Sequence, residues 1–590
     1  MRIQDSSLGK LRLPVHIWRT RFVRFWHKVW LMRSVWAVSS FMALFCFWGL
    51  LYVPYIVSGG FVRDDFGFLT QTRGSERYLG WLDQPRGFAN YAEFQLFVSS
   101  FRTMTGRPVS AILHGFCYWF LGSTSWPYHA INLTLFFVSV LFVYKAIANV
   151  TSHELAFITA VFALIYPAAS GTVFSSIMMN SNLAGVLWSL ALFLDSTGKE
   201  SESRWRDWVV LILLLLSALS YEAFIPLFMV NILMRVATRN EWKLNLVQLL
   251  KHSLPILIAL LLLGVYRGFA EKMIFENPIA DINVPPLTDL TSRFFEMVSL
   301  GIREVCIQSI IISVHSLHNL YVLPLPRLIM VFAGLIILSL SLYTNVSSNE
   351  NFSQSLPMAN REIDKPELNH TENLPWFYAF LAALTIYLIS QLIFVFSGYI
   401  PNSSGFESRT QGAIRFAVAF LIAAGIKFFY KSFPDYPLKQ ITILGTISLA
   451  MLFTLAIVGQ GEAWISAARY NDFLLRKMDS AIRQSKLNEQ ATFTFIAELP
   501  ANFPNQVNNE PIFGETWDIA PALSLLYPAS NIRANVYEPL GTTIQPDEVI
   551  FHGYWEAKYP FYFYRFTDDQ IYLIRTAQDF SKSLAGTILR

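Results

Sequence analysis

Between Ser34 and about Val57 the chain carries an apolar run without one charged residue. Crossing a bilayer takes roughly 20 residues of helix, so this run is long enough to span one. In lipid every backbone polar group must find an internal partner, which leaves helices or closed barrels as the spanning structures. Similar runs recur as far as about Val458, and the composition agrees. The chain is 54% hydrophobic and 15% charged, against about 25% charged in an ordinary soluble domain. The sequence therefore predicts a polytopic, all-α integral membrane protein.

Charge placement predicts its orientation. Residues 1–33 contain Arg2, Lys10, Arg12, Arg19, Arg21, Arg24, Lys28 and Arg33 against the single acid Asp5. A basic stretch before a span stays on the cytoplasmic side and is not a cleavable signal peptide. After the first span, the spans are predicted at Pro127–Ala148, Glu154–Ser170, Asn182–Leu194, Trp208–Leu219, Ala223–Met234 and Leu250–Val265. Leu328–Leu342, Trp376–Phe396, Ala413–Tyr430 and Ile441–Val458 complete about 11 transmembrane helices. Lys145, Arg204, Arg206, Arg235, Arg239 and Lys243 then all fall inside. Tyr91–Met104, Pro108–Leu121 and Phe294–Leu320 are too short or too polar for spans and are expected on the outer interface. Residues 1–33 thus form a cytoplasmic tail and 34–459 the transmembrane domain, with its first outer loop at 58–125. In 460–590 the stretches "TFTFIAEL", "DEVIFHGYW" and "FYFYRF" alternate as strands do, which predicts a small outer α/β domain.

Several function classes drop out. The net charge of +4 is too small to imply nucleic acid as a partner. Cys46, Cys117 and Cys306 show neither metal nor redox spacing and are expected as buried small hydrophobes.

Chemistry is expected where the first span ends, in "GGFVRDDFG" (residues 59–67). Charge at a membrane edge needs a solvated position or a job. In an extended segment the side chains of Asp64 and Asp65 point to opposite sides. One carboxylate can then serve as a general base while its neighbour holds the loop, and partial burial would raise a pKa towards the useful range. Arginines suit a phosphate because their planar fork matches its oxygens. Arg107 in "TGRP", and Arg409 and Arg415 in "GFESRTQGAIR", are the candidates. His114 and His129 stand without a His-x-x-x-His or Asp-x-Asp partner, so no metal is expected. Asn180 and Asn182 fit helix caps or sugar ligands. Trp81, Trp126 and Tyr128 fit an interfacial aromatic belt or a stacking platform.

The order of these motifs resembles the GT-C superfamily of membrane glycosyltransferases. The nearest branch holds the protein O-mannosyltransferases and the bacterial polyprenyl-phosphate-sugar-dependent transferases. "VRDDFGFL" is followed by "GRPVSAILHGF", by "HAIN" opening a span, by "ALIYPAASG" and by "LSYEAFIPLF". The likeness covers residues 33–240 by motif and 240–460 by span pattern. It implies a lipid-linked sugar donor on a polyprenyl phosphate and a glycan, lipid or protein acceptor. It also implies a site on the outer (periplasmic) face of a bacterial inner membrane. By the same likeness Asp64 is the base, with Asp65 as second choice, while Arg107, Arg409, Arg415, His129 and Glu222 bind substrate. Where relatives often carry a basic residue before the glutamate, this chain has Tyr221. A transporter or flippase of lipid-linked sugars is the rival reading. It would place ionisable groups at mid-membrane and breaks in matched halves, and no internal repeat is visible. An O-antigen polymerase or ligase, with an arginine-based site, is a further alternative.

Overall fold

The computed structural model describes residues 40–63, 65–67, 69, 106–122, 124–197, 204–239, 246–270, 289–347, 374–396, 399–433, 436–487, 492–500, 512–514, 516–527, 530–551 and 555–585. Asp64, the basic stretch 1–33 and the amphipathic piece Tyr91–Met104 lie outside them. The fold is mostly helical, with a small sheet region at the C-terminal end.

The membrane part begins with α1 (Ser40–Ser58), α2 (Pro108–Leu121), α3 (Ser125–Val150) and α4 (His153–Ile165). It continues with α5 (Met179–Ser196), α6 (Arg204–Ser220), α7 (Phe228–Arg239) and α8 (Leu246–Val265). Next come α9 (Leu290–Ile302), extended by further helical turns to Val322, α10 (Leu325–Ser347) and α11 (Leu374–Ser390). The last two are α12 (Ile414–Ser432) and α13 (Tyr436–Gln484). Among the described residues, eight helices are long and apolar enough to cross a membrane, or nine if one bent pair forms a single span. The count differs from the expected eleven for physical reasons. Helices α6 and α7 are short, with 17 and 12 residues, and α12 carries Arg415, Lys427 and Lys431. Conversely Leu290–Val322, expected at the interface, is apolar enough to qualify. Arg293 donates to the Phe394 carbonyl, Glu304 accepts from the Ser403 N–H, and Ser316 lies against Gly459.

Aromatic and small residues fill the core: Tyr52, Phe136, Phe157, Phe162, Phe174 and Trp464 are almost completely buried. The bent pair is α4 with Pro167–Phe174, at 56°. Pro167 has no N–H to continue the ladder and keeps the residue before it out of helical geometry. Tyr166 is accordingly extended, at φ −64° and ψ 113°. Ser175 breaks the chain again at φ −84° and ψ 130°. Residues 166–178 are thus short helical turns broken at Tyr166 and Ser175, and the backbone groups freed at the breaks inside the bundle must be satisfied by protein groups.

The expected boundary at 459/460 falls inside α13. That helix runs uninterrupted for 49 residues, roughly 73 Å at 1.5 Å per residue. This exceeds the hydrocarbon thickness of about 30 Å, so α13 continues beyond the bundle and into the C-terminal core through Leu474, Met478 and Ile482. There β1 (Thr492–Glu498) lies parallel to both β2 (Asn531–Val536) and β6 (Phe561–Arg565), with β7 (Gln570–Ile574) antiparallel at the edge. Strands β3 (Thr542–Ile544), β4 (Glu548–Phe551) and β5 (Trp555–Lys558) make a second, antiparallel sheet. The three strand-like stretches of the sequence thus all contribute strands. Of the cysteines, Cys117 is buried while Cys46 and Cys306 are exposed; these two sit on the outside of apolar helices.

Candidate active site

The glycine pair at the end of α1 is there for close approach. A Cβ on Gly60 would lie 2.9 Å from the Ala468 Cβ of α13, and one on Gly59 would lie 3.1 Å from the His129 ring. The Gly59 carbonyl accepts from the Ser125 hydroxyl at 3.0 Å, and His129 Nε2 meets the Gly60 carbonyl at 3.2 Å. His129 is fully buried, edge-on to Tyr55 with centroids 5.0 Å apart. It supports the turn from below.

Beyond the turn, Arg63 takes a left-handed φ of 41°, a conformation that costs a side-chain-bearing residue energy and clusters at functional sites. The following acid explains how it is held. Asp65 Oδ2 accepts from the Val62 N–H at 3.0 Å, and Oδ1 accepts from the Ser175 hydroxyl at 3.1 Å and the Ile177 N–H at 2.9 Å. Asp65 is 2% exposed. Burial raises its pKa to about 6, despite the Val62, Ile177, Ser176 and Ser175 hydrogen bonds that favour the anion. A narrow recess opens beside it, lined by Phe61, Asp65, Leu69, His114, Tyr128, Ser176 and Ile177. Burial lowers the pKa of His114 to about 3, partly opposed by its hydrogen bond to the Ile177 backbone. The recess thus brings a buried carboxyl and a buried imidazole into one lining.

A second centre forms at the start of α2. Pro108 opens the helix with its preset φ, leaving Arg107 just before the N-terminus. A cation there opposes the helix dipole, and a carboxylate offsets it. Arg107 Nε donates to Glu222 Oε2 at 2.9 Å, with Nη2 paired to Oε1. Arg267 Nη2 lies 3.9 Å from the same carboxylate. About a quarter of the Arg107 and Glu222 side chains is exposed. Burial alone would raise the Glu222 pKa; the Arg107 charge and hydrogen bonds, with Arg267, outweigh it and hold it at about 2. The Arg107 guanidinium also stacks over the Tyr221 ring, 4.5 Å from its centroid. Burial pushes the Tyr221 hydroxyl up to about 12 against the pull of Arg107 and Arg409, so Arg409 belongs to this cluster.

Of the residues singled out in the sequence, Arg107, Glu222 and Arg409 thus come together, and Asp65 lines the recess. Arg415 sits apart, 1% exposed, with its guanidinium 4.3 Å from the Phe136 ring centroid. Asn182 is equally internal, and Asn180 Oδ1 accepts the Ser181 N–H at 2.6 Å. Arg267 and the Ser175–Ile177 donors are additions; the small, polar run "SGTVFSSIMMNSN" inside an apolar region is the signal that marks the latter. Arg107, just before α2, and His114, within it, tie both centres to the same helix. Among the described residues, no three His, Cys, Asp or Glu side chains converge as a metal site. Compared with known proteins, the chain matches no protein-family model, no curated protein and no solved structure.

Proposed function

We propose that this protein is a glycosyltransferase of the GT-C type. It moves a sugar from a polyprenyl-phosphate donor to a hydroxyl of a glycan, lipid or protein on the outer face of a bacterial inner membrane. The observation that carries the reading is the pairing of two centres at α2. His114 within it lines a recess with Asp65, while Arg107 just before it meets Glu222 beside Arg267, and Arg409 acts on the neighbouring Tyr221.

In this reading the acceptor oxygen attacks the anomeric carbon in line as the bond from that carbon to the phosphate oxygen breaks. Asp64 takes the hydroxyl proton, the new glycosidic bond forms with inversion, and polyprenyl phosphate leaves with the bonding electrons. Asp65, whose oxygens already accept three hydrogen bonds, holds the loop. The arginines receive the developing phosphate charge, usually the largest electrostatic term in such a step. Eleven spans, with α2 and Leu290–Val322 on the outer interface and the C-terminal domain in the periplasm, complete this arrangement.

A donor-binding measurement tests it. Polyprenyl-phosphate sugars are expected to raise the melting temperature of the purified protein. Arg107→Ala and Arg409→Ala, folded, should each cut the apparent donor affinity at least 10-fold, on the scale of a lost charge-assisted hydrogen bond. Equal affinity in both variants would remove the arginine cluster from the phosphate site.

A further inference from the structure

The breaks in 166–178 leave the carbonyls of Thr172, Val173 and Ser175 facing the bundle interior, and two asparagines take them up. Asn132 Nδ2 donates to the Val173 carbonyl at 2.9 Å and the Ser175 carbonyl at 3.1 Å. Asn182 Nδ2 donates to the Thr172 carbonyl at 3.1 Å and to Asn132 Oδ1 at 2.7 Å. Asn182 Oδ1 in turn accepts from Arg415 Nη2 at 3.1 Å. All three residues are buried, at 2% exposure or less. The far end of the same segment supplies the Ser175 hydroxyl and the Ile177 N–H that hold Asp65. A continuous path therefore runs from α12, through α5 and α3, to the acidic loop.

Satisfying carbonyls needs no charge, yet the path ends on one. Arg415 bonds to the Gly412 carbonyl at 2.8 Å and to Asn182, and among the described residues no carboxylate pairs with it. Burying an unpaired cation is costly. A charged donor also makes the shortest and strongest hydrogen bonds and polarises those that follow. A stiff network is what this cost obtains. We infer that Asn132, Asn182 and Arg415 are positioning residues: they clamp the Ser175–Ile177 donors onto Asp65 and so fix the turn that Asp65 holds. The clamp rests on the geometry; what the loop does once clamped rests on the transfer reaction proposed above.

Asn182→Asp tests the clamp. It is isosteric and keeps Arg415 partnered, now as an ion pair, but cannot donate to Asn132 or Thr172. Asn132→Ser breaks the same link without adding charge. The readout is modification of Asp65 by dicyclohexylcarbodiimide, which requires a protonated carboxyl in apolar surroundings, followed against pH by peptide mass spectrometry. His114 and Tyr128 across the recess and Tyr55 beneath are titratable groups that face Asp65. They are unchanged in both variants. Slackened donors stabilise the anion less, so the midpoint is expected to rise by about one pH unit in each variant. The transfer kcat should fall about 10-fold with donor KM unchanged, and the melting temperature should hold. An unmoved midpoint in the folded variants overturns the inference, as does failure of both to fold, which would make the network merely structural. A wild-type protein that transfers no sugar would sink the transferase reading and leave the midpoint to decide the clamp.

Discussion

At the scale of single residues, the two carboxyls of the site are tuned in opposite directions by one choice, whether a cation is supplied. Glu222 has Arg107 and Arg267 and is held at about 2, below the usual 4.5; Asp65 is buried with neutral donors and rises to about 6. The sign of the Glu222 effect follows from linkage. A depressed folded-state pKa contributes stability that is fully present above about pH 4.5 and is lost as the pH falls through about 2. Glu222→Gln should therefore melt below the wild type at pH 7, and the gap should close as the pH falls from 4.5 towards 2. A gap independent of pH would mean the pair contributes nothing through its charge. The sequence marked Glu222 and Arg107 separately, but only the fold shows that they meet: 115 positions separate them. The stack of Arg107 on Tyr221 was illegible for the same reason.

At the scale of elements, the site depends on how closely α1, α3 and α13 approach. The length of the apolar runs located most of the helices, because in lipid each must satisfy its own backbone. It could not locate the break at 166–178 as a functional element, since Pro167 marks a helix end without saying that the next turns stay buried. Nor could it tell that α13 passes the bilayer without stopping: its composition changes near 460 while its backbone does not. The close approach gives a test. In Gly60→Val the new Cβ alone would stand 2.9 Å from the Ala468 Cβ, and the two methyl groups beyond it would crowd α13 further. Overpacking of this kind costs about 1–3 kcal/mol, so the melting temperature should drop and the acidic turn should move away from α13. Wild-type stability in this variant would show that the α1–α13 contact is loose.

At the scale of the whole molecule, the polar chemistry is divided between the two ends of the bundle. One end has Asp65, His114, Arg107, Glu222 and Arg409. At the other, α5 and α7 lock together through Arg235 and Asn231 on Asp195, at 2.7 and 2.8 Å. The C-terminal domain covers the first end: Arg63 lies 3.7 Å from Asp518, and the Phe66 and Phe513 rings are 5.5 Å apart. Arg63 and Phe66 thus meet the domain while Asp65 between them is held by the bundle. Transfer of labelled sugar from a panel of polyprenyl-phosphate donors to native membrane acceptors, run with wild type and Asp64→Asn side by side, bears most directly on what that site does. Label should reach product with the wild type and fall at least 100-fold with a folded, membrane-inserted Asp64→Asn, as loss of a general base requires. Equal transfer by the two proteins, or none by the wild type with acceptor and donor shown to be competent, would contradict it.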